Sequence, residues 1–185
     1  MVDRSSRDGG RPCHTAAMAI LDAQANRLAA GTAALLAFRP SLEATDPWQL
    51  AELYGAEAEA SWGPREVLAH VEEMLPFWLG EAERILAAPA DFPVPIGRAA
   101  TDALRIGVIG RDRSLPWREL FGRVASDGSR LAARMRELSD AEAGRAGVHP
   151  RLGEMSVADL FERFVVSHIE EHVAQLREIL DARGA

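Results

Sequence analysis

Two histidines near the end of the chain, His168 and His172, stand four residues apart. On a helix that spacing sets them about 6 Å apart along the axis and within about 40° of one another around it. They fall in an apolar stripe of Val157, Phe161, Phe164, Val165, Leu176 and Ile179, recurring mostly at three- and four-residue intervals. Both rings are therefore expected at the centre of a buried face. Glu170 points to the opposite, solvent side, while Glu171 and Gln175 lie at the edge of the stripe. Two inward imidazoles at this spacing can reach one divalent metal. They can also be core histidines bonded to neighbouring groups, although a buried ring without good partners costs roughly 1–3 kcal/mol.

A third histidine extends the metal reading. His70 lies on the buried side of an earlier helix, toward its edge, one turn after Val67 and one turn before Met74. Alone it reads as a half-buried histidine. With the pair it completes a three-nitrogen set that leaves positions open for water or substrate. His14, expected in a tail, and His149, expected in the loop before the last helix, are weaker candidates; His149 is a loop hydrogen-bonder or a lining residue. The string His168-Ile169-Glu170-Glu171-His172 spells H-x-x-E-H, the inverted zinc-protease motif. That reading is rejected, because such enzymes need a further ligand well downstream and 13 residues follow His172. The forward motif H-E-x-x-H fails because Ile169 occupies the Glu position.

The elements that must position these residues are helical. Met18, Leu21, Ala25, Leu28, Thr32 and Leu35 predict a helix from about Thr15 to Phe38, ended by Pro40. Asp46-Pro47 signals a short helix through Tyr54. Gly63-Pro64 opens the helix of His70, with Val71, Leu75, Trp78, Ala82 and Ile85 on its stripe and a kink expected at Pro76. Pro89, Pro93, Pro95 and Gly97 mark a crossover, with irregular structure to about Asp112 and a strand-like piece at Arg105 to Ile109. Trp117, Phe121, Val124, Gly128, Leu131, Met135 and Leu138 give a helix from near Pro116, where Gly128 implies a close neighbour or a bend. Ser156 and Asp159 form a capping box ahead of the last helix, with Met155 and Leu160 placed as a staple. The expected fold is all-α: a four-helix bundle with a long crossover between helices 2 and 3. Residues 1–13 read as a disordered tail and residues 14–185 as a single domain.

Composition agrees. The 185 residues are 48% hydrophobic and 26% charged, an ordinary globular balance. The net charge is −7, and all 21 basic residues are arginine. A basic patch for nucleic acid or for an anionic membrane surface is not expected. A single cysteine, Cys13, fits a reducing compartment, no apolar run is long enough to span a bilayer, and a cytoplasmic location follows as the expectation.

Three stretches resemble the DinB-like (DinB/YfiT) superfamily of metal-dependent helical bundles. Ser61-Trp62-Gly63-Pro64-Arg65-Glu66-Val67-Leu68-Ala69-His70 is similar to the family's opening of the second helix. His149-Pro150-Arg151-Leu152-Gly153-Glu154-Met155-Ser156 is similar to the approach to its last helix, and His168-x-x-x-His172-x-x-Gln175 to its paired-histidine end. The likeness covers roughly Thr15 to Leu180. It implies that His70, His168 and His172 are a metal triad for zinc, nickel or another divalent ion, and that the chain forms a homodimer. Some relatives use mycothiol, bacillithiol or glutathione in S-transfer or isomerisation, and others are hydrolases. Mycothiol or another low-molecular-weight thiol is thus the implied cosubstrate, and the Arg-only, Ala-rich composition hints at a GC-rich, mycothiol-using host.

The mechanism expected is Lewis-acid activation of water or a thiol against a small-molecule substrate. Glu171 would accept a proton or hold a ligand histidine in its tautomer, unless it is a half-exposed carboxylate paired with an arginine. Trp62, Phe77, Trp78 and Phe164 pack the bundle, one or two of them walling the pocket. The competing expectations are a bundle that binds metal or a small ligand without catalysis, in a stress response, and a dimerising bundle with no metal.

Overall fold

The computed structural model describes residues 14–54 and 58–184, with side chains from residue 20 onward. The expected tail at 1–13, Cys13 and the side chains of His14 and Met18 lie outside the described residues. Helix α1 runs His14–Ala37, so His14 heads a helix instead of sitting in a tail. Pro40 does end it, but in the first turn of a new short helix, α2 (Arg39–Ala44), where a missing N–H is harmless.

The helix expected after Asp46-Pro47 does not form. Side chains compete for its backbone instead. Asp46 accepts from the Trp48 N–H at 3.2 Å, and the buried Glu66 carboxylate accepts from the Ala51 N–H at 3.0 Å. Helix α3 (Pro64–Ala87) opens at its proline as expected and runs unbroken through Pro76, which lies on the exposed face.

The crossover is more ordered than its prolines suggest. It holds a short strand, β1 (Val94–Pro95), and helix α4 (Ala103–Asp112). The apolar-polar alternation of Leu104 to Ile109 imitates a strand, yet Asp102 caps the segment by accepting from the Arg105 N–H at 3.0 Å. Arg105, Ile106, Ile109 and Asp112 then share a buried face. Helix α5 (Trp117–Glu137) follows, then α6 (Asp140–Ala143) with a capping box of Ser139 and Glu142. Strands β2 (Ala146–His149) and β3 (Gly153–Ser156) form an antiparallel hairpin, and β1 lies parallel to β2 with Val94 opposite Gly147. The chain is mostly helical, as expected, with this small sheet added.

The last rod begins with the anticipated Ser156–Asp159 capping box at α7 (Val157–Phe161). It passes through a π-helical turn, Glu162–Val166, into α8 (Ser167–Arg183). The wider turn rotates α8 about its axis. Ile169 is fully buried, whereas Phe164, His168 and Ile179, expected in the centre of the stripe, are only half-buried. Helix α1 packs on α5 and α8, and α3 packs on α4, α5, α7 and α8. Close approach depends on two glycines. A Cβ at Gly128 would lie 2.6 Å from Thr32 Oγ1, and one at Gly31 would lie 2.5 Å from Ile169 Cγ2. Leu28 and Leu35 of α1, Leu68, Leu75 and Ile85 of α3, Leu131 of α5 and Phe161 of α7 fill the core. Each such side chain contributes roughly 1.5–3 kcal/mol on burial, so the histidine-bearing helices are held on a rigid support.

Candidate metal centre

The packing of α3 against α8 brings the three histidines together. His70 Nε2 lies 3.0 Å from His168 Nε2, and His172 Nε2 lies 3.2 Å from the same atom. His70 and His172 are buried, and His168 is 26% exposed at the cavity wall. Among the described residues this is the one group of His, Cys, Asp and Glu side chains arranged to hold a metal ion.

The outer nitrogens identify the tautomers. His168 Nδ1 lies 3.1 Å from a carboxylate oxygen of Glu171, which can only accept when ionised, so Nδ1 carries the proton. His172 Nδ1 lies 3.0 Å from Gln175 Oε1, and the Gln175 amide nitrogen donates to the Glu59 carbonyl at 2.8 Å. The amide oxygen therefore faces His172, whose Nδ1 is also protonated. Both Nε2 atoms are left with lone pairs facing one another across 3.2 Å, and the hydrogen in reach is that of His70 Nε2, 3.0 Å from His168 Nε2, since His70 Nδ1 accepts from Arg105. A cation about 2.0–2.1 Å from each nitrogen would hold such atoms roughly 2.9–3.4 Å apart. The donor set fits that group.

His70 is held differently. Its Nδ1 faces the Arg105 guanidinium at 3.2 Å, while the nearest carboxylate oxygen, Glu73 Oε2, is 4.0 Å away, buried and without a hydrogen-bond partner. The other Glu73 oxygen is taken by Arg98. A small shift would give His70 the same carboxylate support that His168 has. Trp62 packs edge-on to the His70 ring at 5.5 Å.

Burial, and then the neighbouring His172 and Arg105, hold His70 well below the usual histidine pKa. Burial, and then His168, lower His172 to about 3. Both rings are neutral at pH 7 and keep their lone pairs. Burial raises the Glu73 carboxyl, partly offset by Arg98.

His70 and His168 open onto a cavity of about 630 Å³. Trp78 and Phe164 line it and stack on each other at 4.2 Å, so two of the four singled-out aromatics wall the pocket. Phe77 is half-buried beneath the Arg98 guanidinium, 3.7 Å from its centroid. The crossover supplies Arg98 to Thr101 and Arg105. His149 also lines the cavity, from strand β2 and not from a loop. Glu171 is 71% exposed on the outer side of His168, and Glu170 pairs with Arg27 of α1 at 2.7 Å, on the face away from the cavity.

Sequence reasoning missed Glu59, Glu73, Arg98 and Arg105. Glu73 had a signal, since each triad histidine is followed three positions later by a carboxylate or amide: His70 and Glu73, His168 and Glu171, His172 and Gln175. Glu59, Arg98 and Arg105 lie outside the helical spacing of the histidines and carry no such mark.

The chain is mostly helical, and two of its helices converge on a three-imidazole cluster that could hold a metal ion. The sequence model of the DinB superfamily matches residues 21–176, and the chain belongs to that superfamily. None of the curated proteins matches the chain. Among the described residues no helix is long and apolar enough to cross a membrane.

Proposed function

We propose that the chain is a metal-dependent enzyme acting on a small molecule. His70, His168 and His172 hold a divalent cation, zinc or nickel, to which neutral imidazoles are suited. Water or a low-molecular-weight thiol such as mycothiol is the nucleophile, for hydrolysis or S-transfer. The observation that carries this reading is the convergence of three imidazoles, with the Nε2 atoms of His168 and His172 facing one another at 3.2 Å. When bound, the cation supplies Lewis acidity, bringing the pKa of a ligated water or thiol toward neutrality.

The chain's own groups do the rest. Glu171 and Gln175 keep the protons of His168 and His172 on their outer nitrogens. Because Glu171 meets the outer edge of its ring, it acts as a positioning residue and not as a proton acceptor at the reacting atoms. Glu59 lines the cavity and pairs with Arg105, which makes it the carboxylate best placed to take a proton from the nucleophile. Trp78 and Phe164 exclude water along one wall. The supporting frame we read as the expected four-helix bundle, with α1, α3, α5 and the α7–α8 rod as its members.

Zinc loading followed by dialysis and elemental analysis tests the reading. Close to one ion per chain is expected, and less than about 0.2 would overturn it. Turnover of thiol and electrophile by the loaded protein, lost in His168→Ala, separates an enzyme from a non-catalytic binding protein.

A further inference from the structure

The chain carries a net charge of −7, yet its cavity reverses that sign. Four arginines line it, Arg98, Arg105, Arg151 and Arg163, against one acid, Glu59. Arg105 is paired with Glu59, and Arg98 with Glu73. Among the described residues the guanidinium groups of Arg151 and Arg163 have no carboxylate or hydrogen-bond partner. Two uncompensated cations in one concave, partly apolar site favour an anion.

His149 adds a fixed donor to the same wall. Its Nδ1 accepts from the Arg151 and Leu152 backbone N–H groups, at 3.3 Å each. Both are obligatory donors, so Nδ1 offers a lone pair and the ring proton sits on Nε2. The ring packs on Phe164, centroids 5.3 Å apart. It is also wedged against Gly97, where a Cβ would come within 2.6 Å of Cδ2 and 2.9 Å of Nε2. Its Nε2–H has no acceptor among the described residues. Burial, and then the charges of Arg151 and Arg163, keep this ring below the ordinary histidine pKa, which also puts both guanidinium groups within electrostatic reach of it.

We propose that His149, Arg151 and Arg163 form an anion subsite that takes the carboxylate or phosphate group of a small acidic ligand. The arginines supply charge-assisted, bidentate hydrogen bonds and the imidazole a directed neutral one. Trp78 and Phe164 offer the ligand's body an apolar wall. The ligand is called a substrate on the strength of the function proposed above, but the subsite itself requires no metal.

The test is calorimetric titration of chelator-treated protein at low salt with succinate, its uncharged diamide succinamide, and inorganic phosphate. At least one anion is expected to bind, and the diamide about tenfold or more weaker. The double variant Arg151→Met/Arg163→Met should lose about tenfold or more in anion affinity, while Arg177→Met, at an exposed arginine outside the cavity, keeps it. Arg151 and Arg163 are both exposed, so the double variant should fold, which circular dichroism verifies. Binding of phosphate alone assigns a phosphorylated ligand, and binding of succinate alone a carboxylic acid. The subsite is overturned if neither anion binds, if succinamide matches succinate, or if the double variant titrates like the native protein. A separate zinc titration keeps the two readings apart: anions that bind a protein indifferent to zinc sink the metal centre and leave the subsite standing.

Discussion

Helices α8 and α3 deliver imidazoles to the same point under opposite conditions. On α8, each of the two rings has its outer nitrogen satisfied by an acceptor three residues on, which commits its inner nitrogen to a lone pair. On α3, the equivalent acceptor exists, but Arg98 draws Glu73 aside and Arg105 sits against the outer nitrogen of His70. One half of the cluster presents its lone pairs inward, and the other would have to adjust to do the same. The contrast teaches that i, i+3 pairing alone does not fix a tautomer; the arginines packed against the acceptor decide it.

The largest effect should come from the half on α8. His172→Ala should weaken zinc binding more than about 100-fold, exceeding what loss of an outer-shell partner costs, without unfolding the protein. Calorimetry checks this, and native-like affinity would remove His172 from the site. The next pair sharpens the comparison. Glu73→Gln should cost about 10–100-fold in zinc affinity, and Glu171→Gln, at an exposed carboxylate, about the lower end of that range. If the Glu73 variant binds zinc as the native protein does, His70 takes no support from α3. In the other direction, Arg105→Met, which frees the outer nitrogen of His70, should raise zinc affinity by about 3–10-fold; unchanged or weaker binding would show that Arg105 does not oppose the cation.

Acidification probes the same rings without metal. His172, lowered to about 3 in the folded chain, returns to about 6.5 on unfolding, and His70 is displaced in the same direction. Below about pH 6.5 the unfolded chain therefore takes up protons that the folded chain refuses, so the rings' contribution to stability is intact above that pH and drains away toward pH 3. The melting temperature of chelated protein should fall between pH 7 and 4, less steeply in His172→Gln; identical slopes would contradict a neutral buried His172. The last effect concerns the support and not the site. Gly31→Ala overpacks the contact with Ile169 and should cost about 1–3 kcal/mol of stability, read by denaturant unfolding, while leaving anion binding at His149 in place.

Much of this architecture could be read locally. Three long helices, the Pro64 and Pro116 starts, the Ser156 capping box and the histidine pair all come from periodicity and termini within one segment. The triad needed only two such segments to meet. What escaped depended on distant partners. Residues 46–54 lose their helix to side chains such as Glu66, strand β1 exists because Val94 finds Gly147, and His149 becomes a wall residue through that same sheet. The cavity's arginines were visible only as an even scatter along an acidic chain. Glu73 was the avoidable omission, since its spacing from His70 repeats that of Glu171 from His168.

The π-helical turn at Glu162–Val166 means that the last rod houses one residue more than a regular helix of equal length. Deleting any one of those five would straighten the turn yet leave everything beyond it on nearly the same face, because the wide turn accommodates the extra residue. Winding all five as regular helix would instead add about 100° of rotation and carry both imidazoles of α8 off the wall they share with His70, so the wide turn sets which way that pair faces.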